Sequence, residues 1–129
     1  MTTNARSLCE IAKLSELVDR QPRAGRAAGI DLVIVKKDRD IFVLYGRCPH
    51  RGAAMSLGCV DGDRLLCSAH GWDFSLDTGI STRIPGEMLQ RFAATVDEQA
   101  DAVCVDTAEI QAWLVDNPQA FGMDESLGV

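Results

Sequence analysis

The chain of 129 residues holds two histidines, one tyrosine and an odd number of cysteines, five. An odd count excludes a framework in which every thiol is bridged. In a reducing cytosol, paired Cys and His spacings read as metal binding instead. Basic charge is also scarce: 13 Lys and Arg stand against 19 Asp and Glu, for a net charge of −6. That balance argues against nucleic acid and anionic membranes as partners, and it suits a basic protein surface. No apolar run approaches the roughly 20 residues of a membrane span. Met1 to Arg6 has no apolar stretch of signal-peptide length. The expectation is a soluble, cytoplasmic chain. Repeats, low-complexity tracts and long charge runs are absent, and the length is that of one domain.

What is present reads mainly as strand. Leu8 to Ile11 is a short strand, Leu14 to Leu17 a single helical turn or a bend, and Gln21 to Gly29 a weak strand. Asp31 to Val35 and Ile41 to Tyr45 are β-branched, apolar runs joined by the charged turn 36–40, which makes a hairpin. Neither run alternates cleanly, so both are expected to be covered on two faces. Val60 to Leu66 is a tight hairpin with Asp61-Gly62 at its turn. Gln90 to Val96 and Ala102 to Val105 form a terminal hairpin. Short strands at regular spacing indicate an antiparallel sandwich or barrel. Asp106 and Glu109 resemble a capping box, and Ile110, Trp113 and Leu114 follow at helical spacing. A short helix over 107–116 results, stopped by Asn117-Pro118.

The chemistry lies between these elements. Cys48-Pro49-His50-Arg51-Gly52 and Cys67-Ser68-Ala69-His70-Gly71-Trp72 give Cys-x-His, sixteen residues, then Cys-x-x-His. Both histidines of the chain fall inside this pattern. A two-iron cluster needs four protein ligands, two for each iron, and thiolates with neutral imidazoles can supply them. With two thiolates and two imidazoles the formal charge of such a site is zero when oxidised and one negative when reduced. An all-cysteine site would carry two and three negative charges, so the mixed set accepts an electron more readily. A Cys₂His₂ set also suits structural zinc, though Cys-x-His is a poor zinc-finger spacing. Gly52 and Gly71 fit close backbone approach to a cluster, with N–H groups aimed at sulfide, and they equally fit plain turn geometry.

On these residues the sequence resembles the Rieske family over roughly residues 8–106. The Trp72-Asp73-Phe74 and Asp77-Thr78-Gly79 stretch takes part in the resemblance. So does Pro85-Gly86, where the family places a third loop over the cluster. The resemblance implies a [2Fe–2S] cluster, with Cys48 and Cys67 on the inner iron and His50 and His70 on the outer one. It implies an all-β, antiparallel Rieske-type sandwich, with a cluster-binding subdomain of two loops and a short C-terminal helix. The expected division is a Rieske unit over 1–106, with loops at 46–53 and 67–74, then a helix and tail over 107–129. High-potential members join the two loops by a disulfide at positions matching Ala53 and Ala69, and they bond cluster sulfurs with hydroxyls at positions matching Trp72 and Phe74.

The remaining side chains have plainer readings. Cys9 and Cys104 read as buried core thiols and Cys59 as a free structural thiol, with redox activity the alternative. Trp72 reads as a shield or partner contact, or as packing under the loop. Trp113 and Tyr45 read as core. Asp61, Asp63, Asp97, Glu98 and Asp101 read as solvated turn residues.

The expected function is a one-electron carrier, without catalysis of its own, between a flavin reductase and a partner such as an oxygenase. A Rieske domain of a larger flavin-containing, glutamate-synthase-like protein is the alternative, and a zinc-stabilised binding module ranks below both. A ring-hydroxylating oxygenase subunit needs a further site of two His and a carboxylate, and no third histidine exists. Without the disulfide and the hydroxyls, the midpoint potential is expected near the bottom of the Rieske range, on the order of −150 mV. Voltammetry of the purified protein checks this, and a midpoint above about +100 mV, well inside the upper part of that range, contradicts it.

Overall fold

A computed structural model describes residues 7–49, 52–69 and 71–118 of the chain. Its centre is β3 (Ile30–Lys37), flanked by β2 (Arg23–Ala27) and β4 (Asp40–Tyr45). Neighbouring side chains of a strand point to opposite faces, and Val33 and Ile34 are both 0% exposed. Both faces of β3 are therefore covered, as its unbroken apolar run implied. β4 continues the sheet to β8 (Arg91–Phe92), giving the order β2-β3-β4-β8.

A second sheet has the order β1-β10-β9, from β1 (Leu8–Lys13), β9 (Ala94–Asp97) and β10 (Ala102–Asp106). Ile11 of β1 and Ile34 of β3 both come up against Gly25 of β2, where an added Cβ would lie 2.9 Å from Ile34 Cδ1 and 3.6 Å from Ile11 Cβ. A third, smaller sheet, β5-β6-β7, consists of β5 (Cys59–Asp61), β6 (Arg64–Leu66) and β7 (Asp73–Ser75). All pairings within the three sheets are antiparallel. The described residues form an antiparallel, mostly β fold, and a short helix follows the last strand, as expected.

Three details differ from the sequence reading. The single strand expected over 90–96 is two: Arg91 and Phe92 pair with Leu44 and Val43, whereas Ala94 to Asp97 pair with β10. Ala93 lies between them at a corner where the chain changes sheets, its N–H donating to Glu109 Oε1 at 3.2 Å. Asp61 pairs with Arg64, so the two-residue turn is Gly62-Asp63 rather than one centred on Asp61-Gly62. Gly62 takes φ +61° at the first turn position, the place a primed hairpin turn reserves for glycine. Cys9 and Cys104 are half-buried rather than core, and Cys59 is exposed.

The helix α1 spans Thr107–Asp116, the range read from the sequence. Asp106 caps it by accepting from the Ala108 N–H at 2.9 Å. The box is not reciprocal, because Glu109 is engaged with Ala93. Ile110 is fully buried. The Trp113 ring lies 5.2 Å from Tyr45 and 5.4 Å, edge-on, from Phe92. Of the turn acids expected to be merely solvated, Asp101 accepts from the Ser15 N–H at 2.7 Å and its hydroxyl at 2.6 Å, tying the 3₁₀ turn Leu14–Glu16 to the β9–β10 loop. No helix among the described residues is long and apolar enough to cross a membrane. Ile110→Ala is expected to cost about 3 kcal/mol by emptying the space under α1. Urea denaturation checks it, and an unchanged midpoint would show that α1 contributes nothing by docking.

Candidate metal centre

Two loops rise from the sheets at the cysteines. The first leaves the end of β4 through Gly46, whose N–H donates to Asp31 O at 2.8 Å. A Cβ there would lie 2.8 Å from the Asp31 carbonyl carbon, so backbone packs on backbone. The second loop joins β6 to β7 above the Leu66–Asp73 pair. The two close in the same way. The Cys48 N–H donates to Ala53 O at 2.8 Å, and the Gly52 N–H donates to Cys48 O at 2.7 Å. The Cys67 N–H donates to Trp72 O at 2.8 Å, and the Gly71 N–H donates to Cys67 O at 2.9 Å. Both closures require a left-handed residue four places after the cysteine, and Gly52 and Gly71 have φ +75° and +71°. Cys48 is 1% exposed and Cys67 4%, both within one buried cluster and neither in a disulfide.

Residues 7–93 match the family described as the Rieske [2Fe-2S] domain. The chain belongs to that family. Its cofactor is accordingly a [2Fe–2S] cluster. The chain is 42% identical over 74 residues to the 5,5'-dehydrodivanillate O-demethylase oxygenase subunit of Sphingobium sp. (strain NBRC 103272 / SYK-6). That match takes in 57% of this chain. The chain spans about a sixth of the length of the curated relatives it matches, 17% of this one. Among solved structures, it is similar to the ferredoxin of carbazole 1,9a-dioxygenase from Nocardioides aromaticivorans IC177, with TM-score 0.70 and 20% identity over 77% of this chain and 96% of that one. It is also similar to a chain in a complex of reduced oxygenase and oxidized ferredoxin of carbazole 1,9a-dioxygenase, with TM-score 0.69 and 24% identity over 78% and 94%. At these identities the structural likeness shows the Rieske fold alone.

The donor chemistry suits the cluster. Two buried, unbridged thiols stand at the same position of two alike loops, and glycine at the fourth place allows close backbone approach. His50 and His70, the other two members of the expected set, lie outside the described residues. Among the described residues, no three His, Cys, Asp or Glu side chains gather to hold a metal ion. Trp72 is half-buried against the core, which favours its packing role.

The residue the sequence reading passed over is Asp73, first in β7 of this Rieske domain and 3% exposed. Its Oδ1 accepts from Ser81 Oγ at 3.0 Å and the Arg83 N–H at 3.2 Å. Its Oδ2 accepts from Thr82 Oγ1 at 2.6 Å, the Thr82 N–H at 3.4 Å and Arg64 Nη1 at 3.0 Å. One carboxylate thus fixes the start of the third loop, which runs between the bridged residues Ile80 and Met88 and turns at Pro85-Gly86. Arg83 of that loop donates Nη1 to Gly71 O at 3.3 Å. In the first loop Arg47 does the same to Gly52 O at 3.2 Å, while its Nη2 lies 2.8 Å from Asp31 Oδ2. A lone acid inside the apolar Trp-x-Phe pattern, with Ser81-Thr82 downstream, was the available signal for Asp73.

Burial pushes the Asp73 carboxyl up, but the hydroxyls of Thr82 and Ser81 and the N–H groups of Arg83 and Thr82 outweigh it and hold the pKa at about 2. A depressed carboxyl contributes stability that is full above the ordinary 3.8 and is lost as pH falls toward 2. Asp73→Asn is expected to cost about 3 kcal/mol at neutral pH and to flatten the stability loss between about pH 4 and 2. Acid titration of urea stability for both proteins checks this, and parallel acid limbs would contradict it.

Proposed function

We propose that this Rieske domain is a one-electron carrier whose cluster is held by Cys48, His50, Cys67 and His70. The observation that carries the reading is the matched closure of the two loops, each with a buried cysteine at its first position and a histidine two or three residues further along the sequence. When bound, a cluster of this kind supplies one reversible electron. The chain's own residues give it a site: two thiols buried in the core and glycines that let the backbone come close. In this reading the histidines lie on the outer iron, the side from which a partner would exchange electrons. Residues 1–106 act as the carrier unit, and 107–129 form an appended helix and tail.

Both histidines are committed to the cluster in this assignment, so none remains for a mononuclear iron of two His and one carboxylate. The chain then performs no substrate chemistry of its own. One of the similar structures is a complex of reduced oxygenase and oxidized ferredoxin, which supports an oxygenase as one acceptor. A flavin reductase as donor, a low potential and a cytoplasmic setting complete the proposal. The short span of the chain against its curated relatives favours a second reading, the Rieske domain of a larger redox protein. The glutamate-synthase-like association is one form of it.

The test is anaerobic reconstitution with iron and sulfide, followed by metal analysis, visible spectroscopy and coulometric reduction. The wild-type chain is expected to bind two irons and take up one electron. Cys48→Ser, Cys67→Ser, His50→Ala and His70→Ala are each expected to lose most of the absorption. Zinc binding with no visible spectrum would contradict the reading.

A further inference from the structure

The two loops are braced by the same device, unequally paired. In each, an arginine donates to the carbonyl of the left-handed glycine, Arg47 to Gly52 O and Arg83 to Gly71 O. Arg47 is ion-paired with Asp31, which accepts from its Nε at 2.9 Å, lies 2.8 Å from its Nη2 and is shared with Arg26. Asp73 touches Arg83 only through the backbone N–H, and its carboxylate is paired with Arg64. Among the described residues, no carboxylate pairs with the Arg83 guanidinium. The third loop therefore sets against the second cysteine loop, at the residue following His70, a guanidinium with no ion-pair partner among the described residues, Glu87 being the loop's other charged side chain.

Reduction adds one negative charge to the cluster site. A fixed positive charge nearby stabilises the reduced form over the oxidised one. We infer that Arg83 is a tuning residue that raises the reduction potential of the cluster, and that Asp73 is the positioning residue that holds it there. The inference rests on the ligand assignment proposed above. Its sign opposes the missing hydroxyls at Trp72 and Phe74, so Arg83 lifts a potential that those absences leave low.

The substitutions separate charge from grip. Arg83→Gln keeps a donor for Gly71 O and removes the charge, whereas Arg83→Lys keeps the charge and loses the planar fork. Arg83 is exposed, so these variants are expected to fold, and the cluster's visible spectrum confirms loading before each titration. Arg83→Gln is expected to lower the equilibrium constant for reduction by about three- to tenfold, tenfold being 59 mV for one electron. Arg83→Glu is expected to lower it further, and Arg83→Lys to stay near wild type. The differences should shrink as salt rises, because an exposed charge is screened. A loaded Arg83→Gln protein with an unmoved midpoint overturns the inference. So does an Arg83→Lys midpoint that falls as far as that of Arg83→Gln. A wild-type chain that assembles no cluster removes the ligand assignment itself, and the inference with it.

Discussion

Taking a carboxylate out of water costs on the order of several kcal/mol unless other groups replace the lost hydration. Asp73 meets that condition with five donors drawn from two segments of the chain: Arg64 of β6, and in residues 81–83 the hydroxyls of Ser81 and Thr82 and the N–H groups of Thr82 and Arg83. Its position matters as much as its partners. Asp73 begins the strand that follows the second cysteine loop, and it pairs with Leu66, which precedes that loop. The base of the loop and the anchor of the third loop are thus one residue. Lacking such an anchor, the turn at Pro85-Gly86 would keep, among the described residues, the Ile80–Met88 bridge, short backbone contacts, the Ile84 N–H to Ser81 Oγ bond and the exposed Arg83 contact to Gly71 O.

The first loop is secured by different means. Gly46 is wedged against the backbone of β3, and Asp31 at the start of that strand grips Arg47, which grips Gly52. Asp31 also lies 2.5 Å from Arg26. Both cysteine loops are therefore fixed from behind by an aspartate and faced by an arginine on the glycine carbonyl. The alikeness extends to φ angles of +75° and +71° at those glycines.

Much of this was legible in the sequence where the information is local. The apolar run at Asp31 to Val35 implied a strand covered on both faces, and Val33 and Ile34 are both buried. Asp106, Ile110 and Trp113 implied the helix, its cap and its docking face, because capping and helical spacing are short-range patterns. The cysteine loops were visible because the spacing of Cys and His is itself a local property. What the sequence concealed depends on segments meeting. The sheet change at Ala93 is a switch of hydrogen-bond partner, which leaves no mark on an apolar pattern. Asp73 looked like one letter of a motif, since its donors lie eight to ten residues downstream and across a hairpin. The inequality between Arg47 and Arg83 emerges only once Asp31 and Arg64 are seen beside them.

The fold, the family and its cofactor stand independently of the histidines, so the central claim is the ligand set. Pulsed EPR of the dithionite-reduced, reconstituted protein reads that set directly through nitrogen hyperfine couplings. The account predicts couplings from two imidazole nitrogens on the reduced iron, one lost in His50→Ala and the other in His70→Ala wherever cluster remains. A cluster signal with no imidazole coupling would contradict it.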